Sequence, residues 1–308
     1  MTVLLAIAVV ALGGFTLCRL VGFDRFTPLA QLISFTEYLV PVTVLVTVLA
    51  AVRRQWRTTL VGCGIVAALV AVLVPRAVGG EAPADGVPLR LMTLNLRYGA
   101  ATDGAVSLVR QLRPDVLSLQ EVTPEALDQL EAAGIDKWLP YHAVRPRPGV
   151  AGTALYGTEP FRHARTVDSR TRFDMARAET SHKGLKLDLV AAHPSPPVPG
   201  PPTEDWRLDT DRLPRPTSGD GTATILAGDF NATLDHSPLR HLIARGYVDA
   251  ADAVGKGLTP TWQEGWVLPA TIDHVLVESG VGVRAVRVYD AAGTDHRALV
   301  ADLTLPRV

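Results

Sequence analysis

Asp229 and Asn231, in the stretch Ala223–Asn231 (A-T-I-L-A-G-D-F-N), combine residue types and a spacing that suit chemistry. Ile225, Leu226 and Ala227 read as the end of a buried strand, and Gly228 lets the backbone turn. Residues i and i+2 of an extended chain share a face. A carboxylate and a carboxamide therefore project together from the C-terminal end of a core strand, where open α/β sheets place their ligand sites. Asp229 could orient or deprotonate a water, and Asn231 could donate to a developing oxyanion. The same residues also fit a strand-to-helix turn in which Asp or Asn caps the next helix.

Polar residues recur where other apparent strands end or begin. Asn95 closes T-L-N-L-R, Glu121 closes L-S-L-Q-E and His193 closes V-A-A-H-P. Asp273-His274 opens T-I-D-H-V-L-V, and Asp295-His296 lies in G-T-D-H-R before the last strand. Singly, each has a plain alternative as a turn residue, a surface charge or an edge histidine. Together they suggest one site built from strand ends.

The elements that would position these residues are mixed. Leu89–Leu96, Val116–Leu119, Thr153–Tyr156, Ala164–Asp168, Met175–Thr180 and Leu185–Ala192 read as strands, as do Ile272–Val277, Val283–Tyr289 and Ala298–Leu305. Gly104–Leu112, Pro124–Ala133 and Leu239–Ala244 read as helices, the second with proline in its first turn. His182-Lys183-Gly184 reads as a hairpin turn. Runs of strands with helices between some of them predict two sheets packed face to face with helices outside.

The N-terminal quarter is different. Hydrophobic residues make up 47% of the chain and its mean hydropathy is +0.19. The excess lies in residues 3–21, 29–52 and 59–75, which predict three transmembrane helices within a region 1–76. A signal peptide over residues 1–23 is disfavoured, because Met1-Thr2 offers no basic start and two further apolar stretches follow. Arg53, Arg54 and Arg57 crowd the loop before the third stretch, which places that loop in the cytoplasm and the chain after it outside. Arg19, Arg25 and Arg76 run against this orientation, and Glu37 falls inside the second stretch. Residues 77–87 read as a Gly/Pro-containing linker to a domain over 88–308.

Of the 30 Lys+Arg and 31 Asp+Glu in the chain, 24 and 29 lie from Glu81 onward, a balance of −5. A protein that grips a nucleic-acid backbone usually carries a basic footprint, so this balance argues against nucleic acid. Cys18 and Cys63 both fall in the apolar segments, which leaves the domain without disulfide or thiol chemistry. No obligate protein partner is evident.

The ordered series T-L-N, Q-E, A-A-H-P, G-D-F-N, I-D-H and T-D-H resembles the endonuclease/exonuclease/phosphatase, or DNase I-like, superfamily over about residues 88–305. The resemblance implies a four-layered α/β sandwich that hydrolyses phosphoesters with a divalent cation, Mg²⁺ or Mn²⁺. It implies Glu121 as main metal carboxylate, Asn95 near the metal and Asp295 as a further ligand. Asp229 would orient or activate the attacking water. Asn231 and His193 would stabilise phosphoryl oxygens, and His296, held by Asp273, would act as base or as phosphate stabiliser. The choice of base between Asp229 and His296 stays open. Trp262 at the rim and Arg172, within a run of arginines that includes Arg162, Arg165, Arg170 and Arg177, are candidate substrate contacts. The proline-rich run Pro194–Pro202 is either a wall of the site or a linker.

The three apolar segments joined to this domain resemble the membrane-bound VanJ-type proteins associated with teicoplanin resistance. That likeness implies a multi-pass protein of the cell membrane with an extracytoplasmic catalytic domain. Its substrate would be a membrane lipid or envelope phosphoester, such as a lipid-linked phosphate of cell-wall synthesis. An exported nuclease or nucleotide phosphodiesterase, and a non-catalytic ligand-binding member, are the alternatives.

Overall fold

The computed structural model describes residues 2–80, 85–168, 173–198, 202–216 and 221–307. Beyond the N-terminal helices, the strands are β1 (Val87–Asn95), β2 (Val116–Gln120), β3 (Tyr141–Arg145), β4 (Thr153–Gly157), β5 (Arg162–Thr166) and β6 (Ala176–His182). They continue as β7 (Leu185–Ala192), β8 (Thr222–Asp229), β9 (Tyr247–Asp249), β10 (Asp273–Glu278), β11 (Gly282–Asp290) and β12 (Arg297–Leu305). One sheet has the order β11-β12-β1-β2-β4-β3 and the other β5-β6-β7-β8-β10-β9. Each is antiparallel except for one pair, β1 with β2 and β7 with β8.

Period-two alternation decides which side chain goes where. Leu89, Leu91, Val116, Leu187, Leu189, Ala191, Ile225, Ala227, Val275 and Val277 share the core between the two sheets. Their neighbours of opposite parity face outward. Met92, Leu94, Leu117 and Leu119 pack with Val106, Val109, Ala126 and Leu130 of the helices Thr102–Leu112 and Pro124–Ala132. Leu226 and Leu276 pack with Trp206, Leu239 and Leu242 of the helices Pro202–Arg212 and Ser237–Ala244. The layers are therefore helix, sheet, sheet, helix, as an α/β sandwich of two mixed sheets requires.

The N-terminal region departs from expectation. Thr2–Val21 forms one apolar helix, α1, and the stretch Trp56–Ala77 is a second that is long enough to cross a membrane. Residues 29–52 are not one span. They divide into α2 (Leu29–Ile33), a 3₁₀ turn at Thr36–Tyr38, and α3 (Leu39–Val52), followed by α4 (Trp56–Leu73). The reason is competition from the domain. Ala30 is buried in the cluster around Trp206 and Phe230, and its carbonyl accepts from His236 Nε2 at 2.7 Å. The 3₁₀ turn runs directly into α3, and together they form an apolar helix over Thr36–Val52 at the short end of the range of about 17–25 residues that can cross a hydrocarbon core. Glu37, expected inside a span, instead lies in the 3₁₀ turn.

The three longer helices pack around a small apolar cluster of Val9, Ile65 and Leu69 and leave much apolar surface outside. Val3, Leu4, Ile7, Val10, Leu45, Val48, Leu60 and Val61 are exposed, whereas Thr16, Thr43 and Thr47 are buried. Each of these threonine hydroxyls donates to the carbonyl four residues back. Gly62 admits the Thr47 side chain so closely that a Cβ there would collide with it. Of the expected linker, Gly80 N donates to Ala253 O, and residues 81–84 lie outside the described residues.

Candidate active site

The polar residues singled out above occupy one end of the inter-sheet core. Asn95, His193, Asp229 and Asp273 have the inward parity of their strands, and all are buried. Strands β1, β2, β7 and β8 run toward this end, and β10 and β12 start from it. Asp229 and Asp273 are direct partners across β8 and β10. Gly228 is required here by close approach, since a Cβ would strike the carbonyl of Ala192 on β7. Ser118 ties the sheets together just below, donating to Ala227 O at 2.7 Å.

Asn95 is the hub. Its Nδ2 donates to Glu121 Oε1 at 3.1 Å and to Asp229 Oδ2 at 3.0 Å, and its Oδ1 accepts from Arg97 N. Glu121 also accepts from the Tyr98 amide at 2.7 Å. The turn holding these groups is strained, with positive φ at Arg97, Tyr98, Glu121 and Asn231. Non-glycine residues in this region cost energy and gather at functional sites. Asn231 N donates to Asp229 Oδ1, and Asn231 Nδ2 donates to Pro194 O. The first residue of the proline run thus braces the site, and residues 199–201 of that run lie outside the described residues.

Across from Asn95, His296 Nδ1 donates to Asp273 Oδ2 at 2.9 Å. Its Nε2 stands 3.7 Å from Asp229 Oδ2, and His193 Nε2 stands 3.8 Å from the same oxygen. Burial depresses the His296 pKa, but the charges of Asp273 and Asp229 and the bond to Asp273 outweigh it and raise the value to about 10. His193, fully buried, is pushed down by burial, which the nearby Asp229 charge only partly offsets. Burial likewise raises Asp229, against the pull of His296. The cleft therefore pairs an imidazolium donor with a neutral histidine around a carboxylate of enhanced basicity.

The donor set fits a hard divalent cation. Burial raises Glu121 as well, despite the hydrogen bonds from Tyr98 and Asn95, so a cation beside it would relieve a desolvated carboxylate. Such ions prefer carboxylate and carbonyl oxygens. Asp229, Asp273 and His296 also bring ligand atoms within 4.8 Å of one another. The bond between His296 and Asp273 occupies part of that cluster, and Glu121, half-buried where Asn95 is fully buried, is the more accessible carboxylate for a cation. Asp295 is held differently: its Oδ2 accepts from Trp262 Nε1 at 3.1 Å, and Oδ1 lies 3.6 Å from Arg97 Nε.

Trp262 is thus a rim residue bound to the His296 loop, with a backbone bridge to His296 itself. Arg172 and Arg170 lie outside the described residues. In the same run, Arg177 is a bidentate partner of Asp188 and Arg165 pairs with Glu179. His274, adjacent to Asp273, points to the opposite face, where Nδ1 meets Asp249 at 2.7 Å and Nε2 meets Ala232 O.

One group near the site was not anticipated from the sequence. Asp235, four residues beyond Asn231, is buried and receives Arg19 from the end of α1 and Arg76 from just beyond α4. Beside it, Asp24 accepts from Ser237 and from Arg207. Arg19 and Arg76, which ran against the orientation expected from the basic loop, both pair with this one carboxylate of the domain.

The sequence pattern of the Endonuclease/Exonuclease/phosphatase family matches residues 92–296, and the chain belongs to that family. Its members are generally phosphoester hydrolases and generally depend on a divalent metal. No curated protein matches the chain in sequence. Among solved structures, zebrafish (D. rerio) TDP2 complexed with single-strand DNA product is similar at 16% identity and a TM-score of 0.59, over 70% of this chain and 99% of that one. An endonuclease/exonuclease/phosphatase from Beutenbergia cavernae is similar at 18% identity and TM-score 0.52, over 71% and 72% of the two chains. The 3′ phosphatase NExo from Neisseria, bound to product DNA hairpin, is similar at 16% and 0.55, over 69% and 98%. At these identities the likeness establishes the fold.

Proposed function

We propose that the protein is a membrane-anchored, metal-dependent phosphoesterase or pyrophosphatase of the cell envelope, acting on a membrane lipid or a lipid-linked phosphate such as those of cell-wall synthesis. The observation that carries this reading is the convergence of two apolar helices on the catalytic loop: Arg19 and Arg76 both end on Asp235, a few residues from Asn231. An enzyme whose anchor is built into its active-site loop suits a substrate that resides in the membrane.

In this reading Glu121 and Asn95 hold the cation, which offsets charge on the phosphate and polarises it. Asp229 orients the attacking water and accepts its proton, the role its raised basicity supports. His296, kept protonated by Asp273, donates to a phosphoryl oxygen. Asn231 and His193 would bind the others.

The purified full chain should hydrolyse a lipid diphosphate in vesicles with Mg²⁺ or Mn²⁺ and lose that activity in EDTA. Glu121→Gln, which removes a charge at nearly constant shape, should lose activity at limiting metal while melting as the parent does. Metal-dependent cleavage of plasmid DNA with no turnover of lipid phosphates would instead support a nuclease, the class to which the DNA-bound neighbours point. Wild-type activity of Glu121→Gln at limiting metal would refute the ligand assignment.

The helix directions also support an orientation. Both α1 and α4 run toward the domain, so α3 returns the chain and Arg53, Arg54 and Arg57 sit at the far end of the bundle. Basic loops are retained in the cytoplasm, which puts the domain outside. A reporter fused after Val308 should be active only if it works outside the membrane. Signal from a reporter confined to the cytoplasm would reverse the assignment.

A further inference from the structure

Trp262 and Ala270 exchange backbone hydrogen bonds, Trp262 N to Ala270 O at 3.0 Å and Ala270 N to Trp262 O at 2.9 Å. This pair closes a hairpin loop over residues 263–269. Because Trp262 also bridges to His296, the loop springs from the rim of the active site. Its first arm is fixed to that rim, where Gln263 N donates to Asp295 O and Arg97 meets Glu264 at 3.2 Å. Its second arm is fixed to the helical bundle, where the Tyr38 hydroxyl donates to Pro269 O at 3.0 Å. Tyr38 is the residue immediately before α3.

Between these ties the tip is Gly265-Trp266-Val267-Leu268. Trp266 is fully exposed at 104%, with Val267 at 43% and Leu268 at 48%. A backbone bond from Val267 N to Glu264 O shapes the turn, and Gly265 takes φ +53°. From Gly265 to Ala270 the chain carries no charge. A domain surface that leaves a whole indole and two aliphatic side chains in water at one tip is anomalous for a soluble face. Tryptophan is, however, the residue that concentrates where a membrane meets water. The connection out of α1 exposes two further aromatics, Phe23 and Phe26, where that helix meets the domain.

We propose that the tip Gly265–Leu268 is an interfacial anchor that enters the bilayer holding the helices, and that it sets the active-site mouth at the headgroup plane to receive the phosphate of a membrane-resident amphiphile. The inference rests on the membrane reading above and narrows the substrate to one presented by the bilayer. The occupant of the tip is the lipid interface. Continuity argues for it: the loop is pinned at one end to the start of an apolar helix and at the other to the groups that face the phosphate.

The test uses the full chain in phosphatidylcholine–phosphatidylglycerol vesicles, with Trp266→Ala and Leu268→Ala compared against the parent. First, phosphatidylcholine brominated near the headgroup should quench the parent's tryptophan emission, and Trp266→Ala should lose a share of that quenching. Equal quenchable emission in both proteins would overturn the insertion. Second, turnover of a lipid diphosphate in vesicles should fall about tenfold in Trp266→Ala, in line with loss of one buried aromatic contact. Turnover of a short-chain, water-soluble phosphoester should stay unchanged. An equal fall on both substrates would make the loop a structural part of the site and overturn the proposal. If the parent hydrolyses no lipid phosphate, the functional reading fails, while the quenching result still decides whether the tip enters the bilayer.

Discussion

His296→Ala is expected to lower turnover by about 10²–10³, the usual cost of removing one donor that stabilises developing charge. Asp273→Ala is expected to lower it as well, and the double variant should be little worse than His296→Ala. The grounds are geometric. His296 Nδ1 is committed to Asp273 at 2.9 Å, so Asp273 holds that ring in place. Groups that act as a unit are strongly non-additive. The measurement is turnover per folded molecule on whichever phosphoester the purified chain hydrolyses, with folding followed by thermal melting. Fully multiplicative losses would refute the pairing. Unchanged turnover in His296→Ala would remove the residue from the active site.

The same pair carries a pH signature. In the metal-free protein His296 is raised from 6.5 to about 10 by Asp273 and Asp229 against the effect of burial. The stability it contributes is complete below 6.5, because the group is then protonated in both folded and unfolded chains. That stability is lost as pH rises through about 10. His274, raised by Asp249 against burial, acts in the same direction. The decline with pH measured in EDTA should therefore be shallower in His296→Ala than in the parent, and an unchanged slope would contradict the assigned protonation.

Much of this site is visible in the sequence because the fold uses a simple rule. His193, Asp229 and Asp273 each extend an alternating run of inward apolar residues by one inward polar residue, and Asn95 does so after Thr93. Parity along the strand marks them. The same rule separates Asp273 from His274, which lies on the other face and serves the outer layer. What parity cannot reach is contact between distant segments. The apolar count over residues 29–52 says nothing of Ala30 being captured by the Trp206 cluster, so the break at Ser34–Phe35 is invisible locally. Short or polar elements such as β9 and Pro202–Arg212 are equally silent, since the latter holds only Trp206 and Leu208 as large apolar residues. Asp235 reads as one more polar residue after G-D-F-N. Its meaning depends on two arginines 216 and 159 residues away.

Asp235→Ala is expected to destabilise the protein by about 3–5 kcal/mol or to prevent assembly of helices and domain, because it leaves buried charge unpaired. Arg19 Nε lies 2.6 Å and Arg76 Nη1 2.8 Å from its oxygens, and the three side chains are no more than 9% exposed. Burial alone would raise the Asp235 pKa, but Arg76 and Arg19 together hold it below the usual carboxylate range. Its contribution is therefore present above pH 3.8 and is lost as pH falls through the lowered value. Since Asp235 and Asn231 belong to one loop, the surviving folded fraction should also show a raised KM as that loop loosens. A second variant separates charge from shape. Replacing the trio together, with Arg19→Met, Arg76→Met and Asp235→Leu, should recover much of the lost stability, because a buried ion pair exchanged for packed apolar groups is often neutral. Thermal melting of the full chain in detergent reads both. A parent-like melt in Asp235→Ala would mean that the helices are not locked to the catalytic loop. A triple variant no better than Asp235→Ala would mean that the contact depends on these particular hydrogen bonds rather than on the balance of charge.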